Sequence, residues 1–473
     1  MRRFGSNVPV LAVFLIVFAV PSASAVDTPP GTAWVEGTLL LAWSTPAAPG
    51  DLPSPVAAVV RRDDGSLLNL GGPADGWIAG LGGPAAAAGR RVRVLVGDGL
   101  SLPDGATVVP EAVRAAGPRP DGPEVVVGSH PYASILCKFS DKPNEPADLT
   151  YFLNMYASSW PGLDHHWRRQ SYDLVDLVGS TAVGWFTLPH TQQHYVDLSA
   201  GGNWTAMLTA LYDDCTGVAA GSVNPNDFEG VNLMFNDTFG PYAWGGWGGV
   251  TWEPPWGWQN VGVIAHEMGH AFGLPHSNNA DNDGSPYDNP WDLMSDTWGW
   301  AVGHGTYGTL GKHTIATHKD WLGWIAPSRR AEVTAAGSHL VTIDHLTLAG
   351  TANLHLVKVP IPGSSRYYTI EVRDRVDYDG NLPGFAVILH EVNPSRPEPA
   401  WLVDLENPAN GADAGAMWLP GECFDDPAAE ILICVATVTT EGYTVEVHLG
   451  SGYFILRDGF ESGTTSAWSV VVP

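Results

Sequence analysis

The stretch HEMGHAFGLPH, residues 266–276, gathers three of the chain's 16 histidines and one glutamate. His266 and His270 are four apart, so on a helix their imidazoles stand one above the other on one face. That arrangement offers two nitrogens to a single zinc ion. Glu267, beside the first ligand, can reach a water on that metal without ligating it, which is the position of a general base. Gly273 tolerates the left-handed conformation that ends a helix, and Pro275 forbids continuing it. The turn can then bring His276 back as a third nitrogen. Three protein ligands leave one position open for water, as a catalytic zinc requires. HExxH alone recurs by chance, whereas HExxHxxGxxH is far more specific. Asn260 is placed to cap the helix, and Val261, Ile264, Ala265, Met268 and Phe272 recur at near-helical spacing.

The motif is that of the metzincin zinc endopeptidases. The resemblance implies a methionine-containing turn beneath the metal, and YDNPWDLMSD (287–296) supplies Met294. Across about 130–450 the chain resembles secreted peptidases of the immune inhibitor A-like and gametolysin-like kinds. The stretches that carry it are SYDLVDLVGSTAVGWFTLP (171–189), HEMGHAFGLPHS, DNPWDLMSD, THKDWLGWI (317–325), RYYTIEVRDRVDYDGNLPGFAVILHEV (366–392) and WLPGECFDD (418–426). His276 is a departure, since immune inhibitor A-like enzymes often carry Asp there, and it leans toward the gametolysin-like or general metzincin pattern. The resemblance implies one catalytic Zn2+, protein or peptide substrates, and a catalytic domain of α+β metzincin-like fold.

Two weaker constellations flank the motif. AWGGWGGVTWEPPWGW (243–258) is dense in tryptophan; Trp244, Trp247 and Trp252 read either as an aromatic wall for substrate or as buried scaffold. Asn279, Asp281 and Asp283 alternate before Gly284 like the first half of a Ca2+ loop, but Pro290 stands where the closing glutamate belongs. Calcium is one reading of that stretch and a solvated turn the other. His165, His166, His313 and His318 read as ordinary surface or core residues.

The elements that must position the zinc helix divide the chain. Residues 1–25 read as a cleaved signal peptide: Arg2 and Arg3, an apolar run over 8–20, and Ala23-Ser24-Ala25. This predicts a secreted, bacterial-type protein. Residues 26–117, with short β-type runs between Asp-Gly and Gly-Pro turns, predict a small all-β domain, either a pro-segment or a permanent accessory. PRPDGPE (118–124) reads as a linker. Residues 126–328 alternate strand and helix signals, as an α+β catalytic domain does. Residues 329–450 predict a C-terminal β-sandwich-like domain, and 451–473 a tail.

Charge and cysteine content narrow the function classes. Fifty acidic against 23 basic residues give a net charge of −27, which excludes a nucleic-acid footprint. No run after the leader is apolar and long enough for stable membrane insertion. Four cysteines in an exported chain predict two disulfides. Of three pairings, Cys137–Cys215 and Cys423–Cys434 keep each bond inside one domain. The expected function is therefore a secreted zinc endopeptidase. The alternative is a catalytically silent zinc-binding adhesion, glycan- or protein-binding protein on the same fold.

Overall fold

The computed structural model describes residues 31–48, 55–72, 74–97, 102–116, 125–279, 286–406 and 410–450. The signal segment, the linker, the tail, Asp281 and Asp283 lie outside them.

Among the described residues the first half of the chain builds one eleven-stranded sheet. Its strands are β1 (Thr32–Pro46), β2 (Val56–Arg61), β3 (Leu67–Leu70), β4 (Arg91–Gly97), β5 (Ala106–Val108), β6 (Ala112–Ala115), β7 (Tyr132–Lys138), β8 (Thr181–Thr187), β9 (Gly230–Phe235), β10 (Tyr242–Gly246) and β11 (Val250–Glu253). The order is β8-β7-β9-β11-β10-β1-β2-β3-β5, with β4 pairing β1 and β6. Strands β8, β7, β9 and β11 run parallel, and β10 lies antiparallel to β11.

Period-two alternation sorts the strand residues onto two faces. Tyr132, Leu136 and Met234 face the helices α1 (Leu149–Met155) and α2 (Leu163–Ser171) and the motif helix. Ala133, Ile135, Cys137, Leu233 and Phe235 face the opposite way, onto α3 (Trp204–Ala219). Cys137 on β7 is disulfide-bonded to Cys215 on α3, so the pairing expected from sequence holds. No helix among the described residues is long and apolar enough to cross a membrane.

The strands of the N-terminal segment have a core of their own and also continue the sheet that carries the motif helix. Antiparallel β1 pairs with β10 from Ala42 opposite Gly246 to Pro46 opposite Tyr242. Its Leu40 and Ala42 share a core with Trp244 and Trp252, while Leu39, Leu41 and Trp43 pack into the N-terminal core. Alternating apolar residues on both faces mark a strand buried in the middle of a sheet.

The second half is β-rich. Five strands (Arg330–Glu332, Leu356–Pro360, Tyr367–Arg373, Ala386–Val392, Ala400–Leu402) form one sheet. Four more (Gly337–Asp344, Cys423–Asp426, Ile431–Val438, Gly442–Leu449) form a second sheet, and Ile370, Leu389, Ile433 and Val445 meet between the two. Cys423 and Cys434 face each other across neighbouring strands of the second sheet and are bonded, as expected.

Candidate metal centre

The motif forms helix α4 (Val261–Ala271). Val261, Ile264, Ala265 and Met268 bury one stripe against the sheet. Asn260 is the residue before the first turn, but its side chain makes no cap. It donates to the Trp256 carbonyl and accepts from the Thr309 amide instead. The other end is a Schellman turn: Gly273 has φ of 91°, its N–H reaches the His270 carbonyl, and the Leu274 N–H reaches the Gly269 carbonyl. That reversal brings His276 back over the helix.

His266, His270 and His276 are buried and bring their Nε2 atoms together. The separations are 2.9 Å between His266 and His270, 3.1 Å between His270 and His276, and 3.3 Å between His266 and His276. The His266 Nδ1 donates to the Leu293 carbonyl and the His270 Nδ1 to the Leu274 carbonyl, each at 2.6 Å. Those bonds place the ring proton on Nδ1, so both Nε2 lone pairs point inward with no proton to share. A tetrahedral zinc with Zn–N bonds of about 2.0–2.1 Å separates its nitrogens by about 3.3 Å, close to what is found. The donor set therefore fits a zinc ion. Burial pushes all three imidazoles below their usual range, His266 to about 4, which keeps them neutral as metal ligation requires. Among the described residues this is the one group of three side chains placed to hold a metal.

Glu267 is fully buried beside the triad, and neither carboxylate oxygen has a protein hydrogen-bond partner. Burial first, and then the charge of Glu253, push its carboxyl well above the usual range. The nearby Thr45 hydroxyl opposes this without closing a hydrogen bond of good geometry. Glu253, on β11, is likewise buried and raised to about 8 by burial.

Met294 is buried against Gly269, the residue before the second ligand on α4, so closely that a Cβ at Gly269 would overlap its sulfur. The same turn supplies the Leu293 carbonyl that orients His266. We expect Gly269→Ala to cost about 1–3 kcal/mol through this overlap. A urea midpoint unchanged from wild type would show that the turn moves aside freely.

Of the two readings open for the tryptophans, their burial matches the scaffold one. Trp244 and Trp252 are fully buried and Trp247 nearly so, on the α3 face of the sheet rather than in a cleft. The Trp252 Nε1–H donates to the Leu208 carbonyl, and Trp244 packs against Trp204 on α3. Strand alternation is the cause: Gly245, not Trp244, faces α4, and a Cβ there would run into the Glu267 backbone. Asn279 is buried, with its N–H on Asp288 and on its neighbour Asn278. With Asp281 and Asp283 outside the described residues, the calcium reading receives no geometry.

Three further residues lie near the triad. Trp43 of β1 stacks on His270, with ring centroids 5.1 Å apart and planes within 16°. Tyr287 packs edge-on to His276, and its hydroxyl donates to the Ser44 carbonyl at 2.7 Å. Asp292, one residue before Leu293, lies fully buried with a carboxylate oxygen 3.1 Å from the His318 Nδ1.

Residues 223–319 match the family model of peptidase M66. The matched stretch spans β9, β10, β11, α4, His276 and Met294 and is less than half of the chain. It supports a peptide-hydrolysing metallopeptidase. No curated protein matches the chain. Among solved structures, the chain has a slight similarity to catalytically inactive OgpA from Akkermansia muciniphila in complex with an O-glycopeptide (glycodrosocin) substrate. The two are 11% identical over 63% of this chain and 90% of that one, with a TM-score of 0.25, too low to inform the fold.

Proposed function

We propose that the protein is an exported zinc endopeptidase of metzincin-like catalytic architecture, acting on protein or peptide substrates. The observation that carries this reading is the convergence of three neutral imidazoles beside a buried, partnerless Glu267. The two disulfides fit an oxidising compartment. His266, His270 and His276 would hold the ion, with Met294 as the floor beneath them. A zinc ion there would supply a Lewis acid for the scissile carbonyl and for the attacking water. Glu267 is the group that accepts the proton as water attacks and returns it to the departing amine. Leu293 and Leu274 hold two of the ligand rings in one tautomer through their carbonyls.

The test is metal content and casein hydrolysis on the full chain. We expect about one zinc per chain, cleavage lost on 1,10-phenanthroline treatment and restored by added zinc. Loss of the metal should also lower stability, by about 2.7 kcal/mol when the free ion had stood a hundredfold above its Kd. Substoichiometric zinc, or cleavage indifferent to the chelator, would sink the proposal. The silent zinc-binding alternative is favoured by one observation: the site is covered by β1. It becomes the better reading if zinc binds and no form of the chain cleaves, including one with β1 released.

A further inference from the structure

We infer that the chain's own residues 42–46, which pair along the edge of β10 beside the triad, are a strap that must leave before a peptide substrate can enter. This rests on the peptidase reading above and adds how access to the site is governed.

Strand β10 ends the part of the sheet that carries α4. Its inner side pairs with β11, its Gly245 abuts the Glu267 backbone, and its outer side is taken by β1. A free strand edge next to reactive groups recognises peptide by main-chain pairing, with alternate side chains entering the site. Residues 42–46 do just that. The Trp247 N–H bonds the Leu41 carbonyl and the Ala47 N–H bonds the Pro241 carbonyl, which puts Trp43 and Thr45 in the hydrogen-bonded phase opposite Gly245 and Ala243. On the α4 side, Trp43 lies flat on His270 and the Thr45 hydroxyl approaches Glu267. The Ser44 carbonyl takes the Tyr287 hydroxyl, and the Pro46 carbonyl takes the Trp298 Nε1–H at 3.4 Å. The cover is complete: His266 is 0% exposed, Glu267 0%, His270 1% and His276 2%. No peptide carbonyl can come between these groups while the strap is in place.

The strap is separable from the strand that bears it. β1 pairs with β4 over Thr32–Thr38 and with β2 over Thr38–Trp43, so Ser44, Thr45 and Pro46 are paired to β10 alone. Leu40 and Ala42 anchor the strand in the core shared with α3. The terminal residues can therefore peel from β10 with the N-terminal sheet intact, which frees the Tyr287 hydroxyl for a substrate carbonyl at the same register.

Two full-length, zinc-loaded variants test this. Thr45→Cys with Ala243→Cys joins directly opposed residues and locks the strap. Trp43→Gly with Thr45→Pro removes the ring stack and a ladder donor and loosens it. The readouts are calorimetric binding of a peptide hydroxamate, the rate of zinc loss to chelator, and casein cleavage. Closure divides the apparent Kd by the open fraction, so affinity falls in proportion to it. The loosened variant should therefore bind hydroxamate at least ~10-fold more tightly than wild type, lose zinc faster and cleave faster. The oxidised locked variant should do none of these until reduced, with wild type given the same reductant as control. A locked variant that binds hydroxamate as wild type does overturns the strap, and so does a folded, loosened variant with unchanged affinity and zinc loss. If the loosened variant binds hydroxamate tightly yet no form cleaves, the strap stands and the peptidase reading falls.

Discussion

Glu267→Gln should keep its zinc and lose about 10³-fold in peptide hydrolysis, within the range of about 10²–10⁴ for a general acid–base. The substitution preserves side-chain volume in a position with no exposed surface, so folding and the triad should survive. The amide cannot accept a proton from water, and it has none of the right acidity to give the leaving amine. The two losses belong to one cycle and should appear in kcat rather than in KM. The comparison is best made in the strap-loosened background, where access does not limit the rate. A Gln variant that binds one zinc and cleaves within about tenfold of its parent would remove Glu267 from the role of base. A variant that fails to bind zinc would show instead that Glu267 shapes the ligand set.

The largest effect on stability is expected far from the zinc in sequence. Arg373, on the strand Tyr367–Arg373, is completely buried. Its Nη2 and Nε donate to Asp379 at 2.7 and 3.0 Å, and Nη2 also reaches the His313 carbonyl at 3.1 Å. Its Nη1 bonds Glu371 and the Trp291 carbonyl. One guanidinium thus ties the C-terminal β-module to the segment that runs through Asp292 and Leu293 to Met294. Arg373→Met should cost about 3–5 kcal/mol, because it leaves two buried carboxylates without their cation. Lysine is no substitute, since a single ammonium cannot reach acceptors in so many directions. The strain should reach the metal, as the Leu293 carbonyl orients His266, and zinc affinity should fall by about 10- to 100-fold. Urea unfolding and a competitive zinc titration read the two effects. A variant within about 1 kcal/mol of wild type would mean the two halves are joined elsewhere.

What the sequence made readable was local. The spacing of His266, His270 and His276, the left-handed Gly273 and the buried stripe of α4 all lie within a few turns of chain, where helix geometry alone decides who meets whom. Met294 was reachable because the family motif asks for it. The cysteine pairs followed from keeping each bond within a domain, and both are present. What stayed hidden depends on distant partners. Nothing in TLLLAWSTP says that its last residues will pair with Tyr242–Gly246. The tryptophans beside it could be wall or core until the phase of β10 was known, because a shift of one residue exchanges the faces. Asp292 and Arg373 carry charge, and charge reads as surface until a buried partner is seen. The Asn260 side chain was free to cap α4, but the Thr309 amide and Trp256 carbonyl claimed it.

The pairing of β1 with β10 also sets an order of events. A chain is synthesised from its N-terminus, so β1 is finished long before β10 exists and longer still before His276 is added. Each newly made molecule therefore carries the cover for its reactive centre before it owns that centre. At no stage of its making is there a complete triad without the strand that shields it. The corresponding burden falls earlier: until β10 arrives, β1 has an unpaired apolar edge, the kind of surface that invites association with other chains.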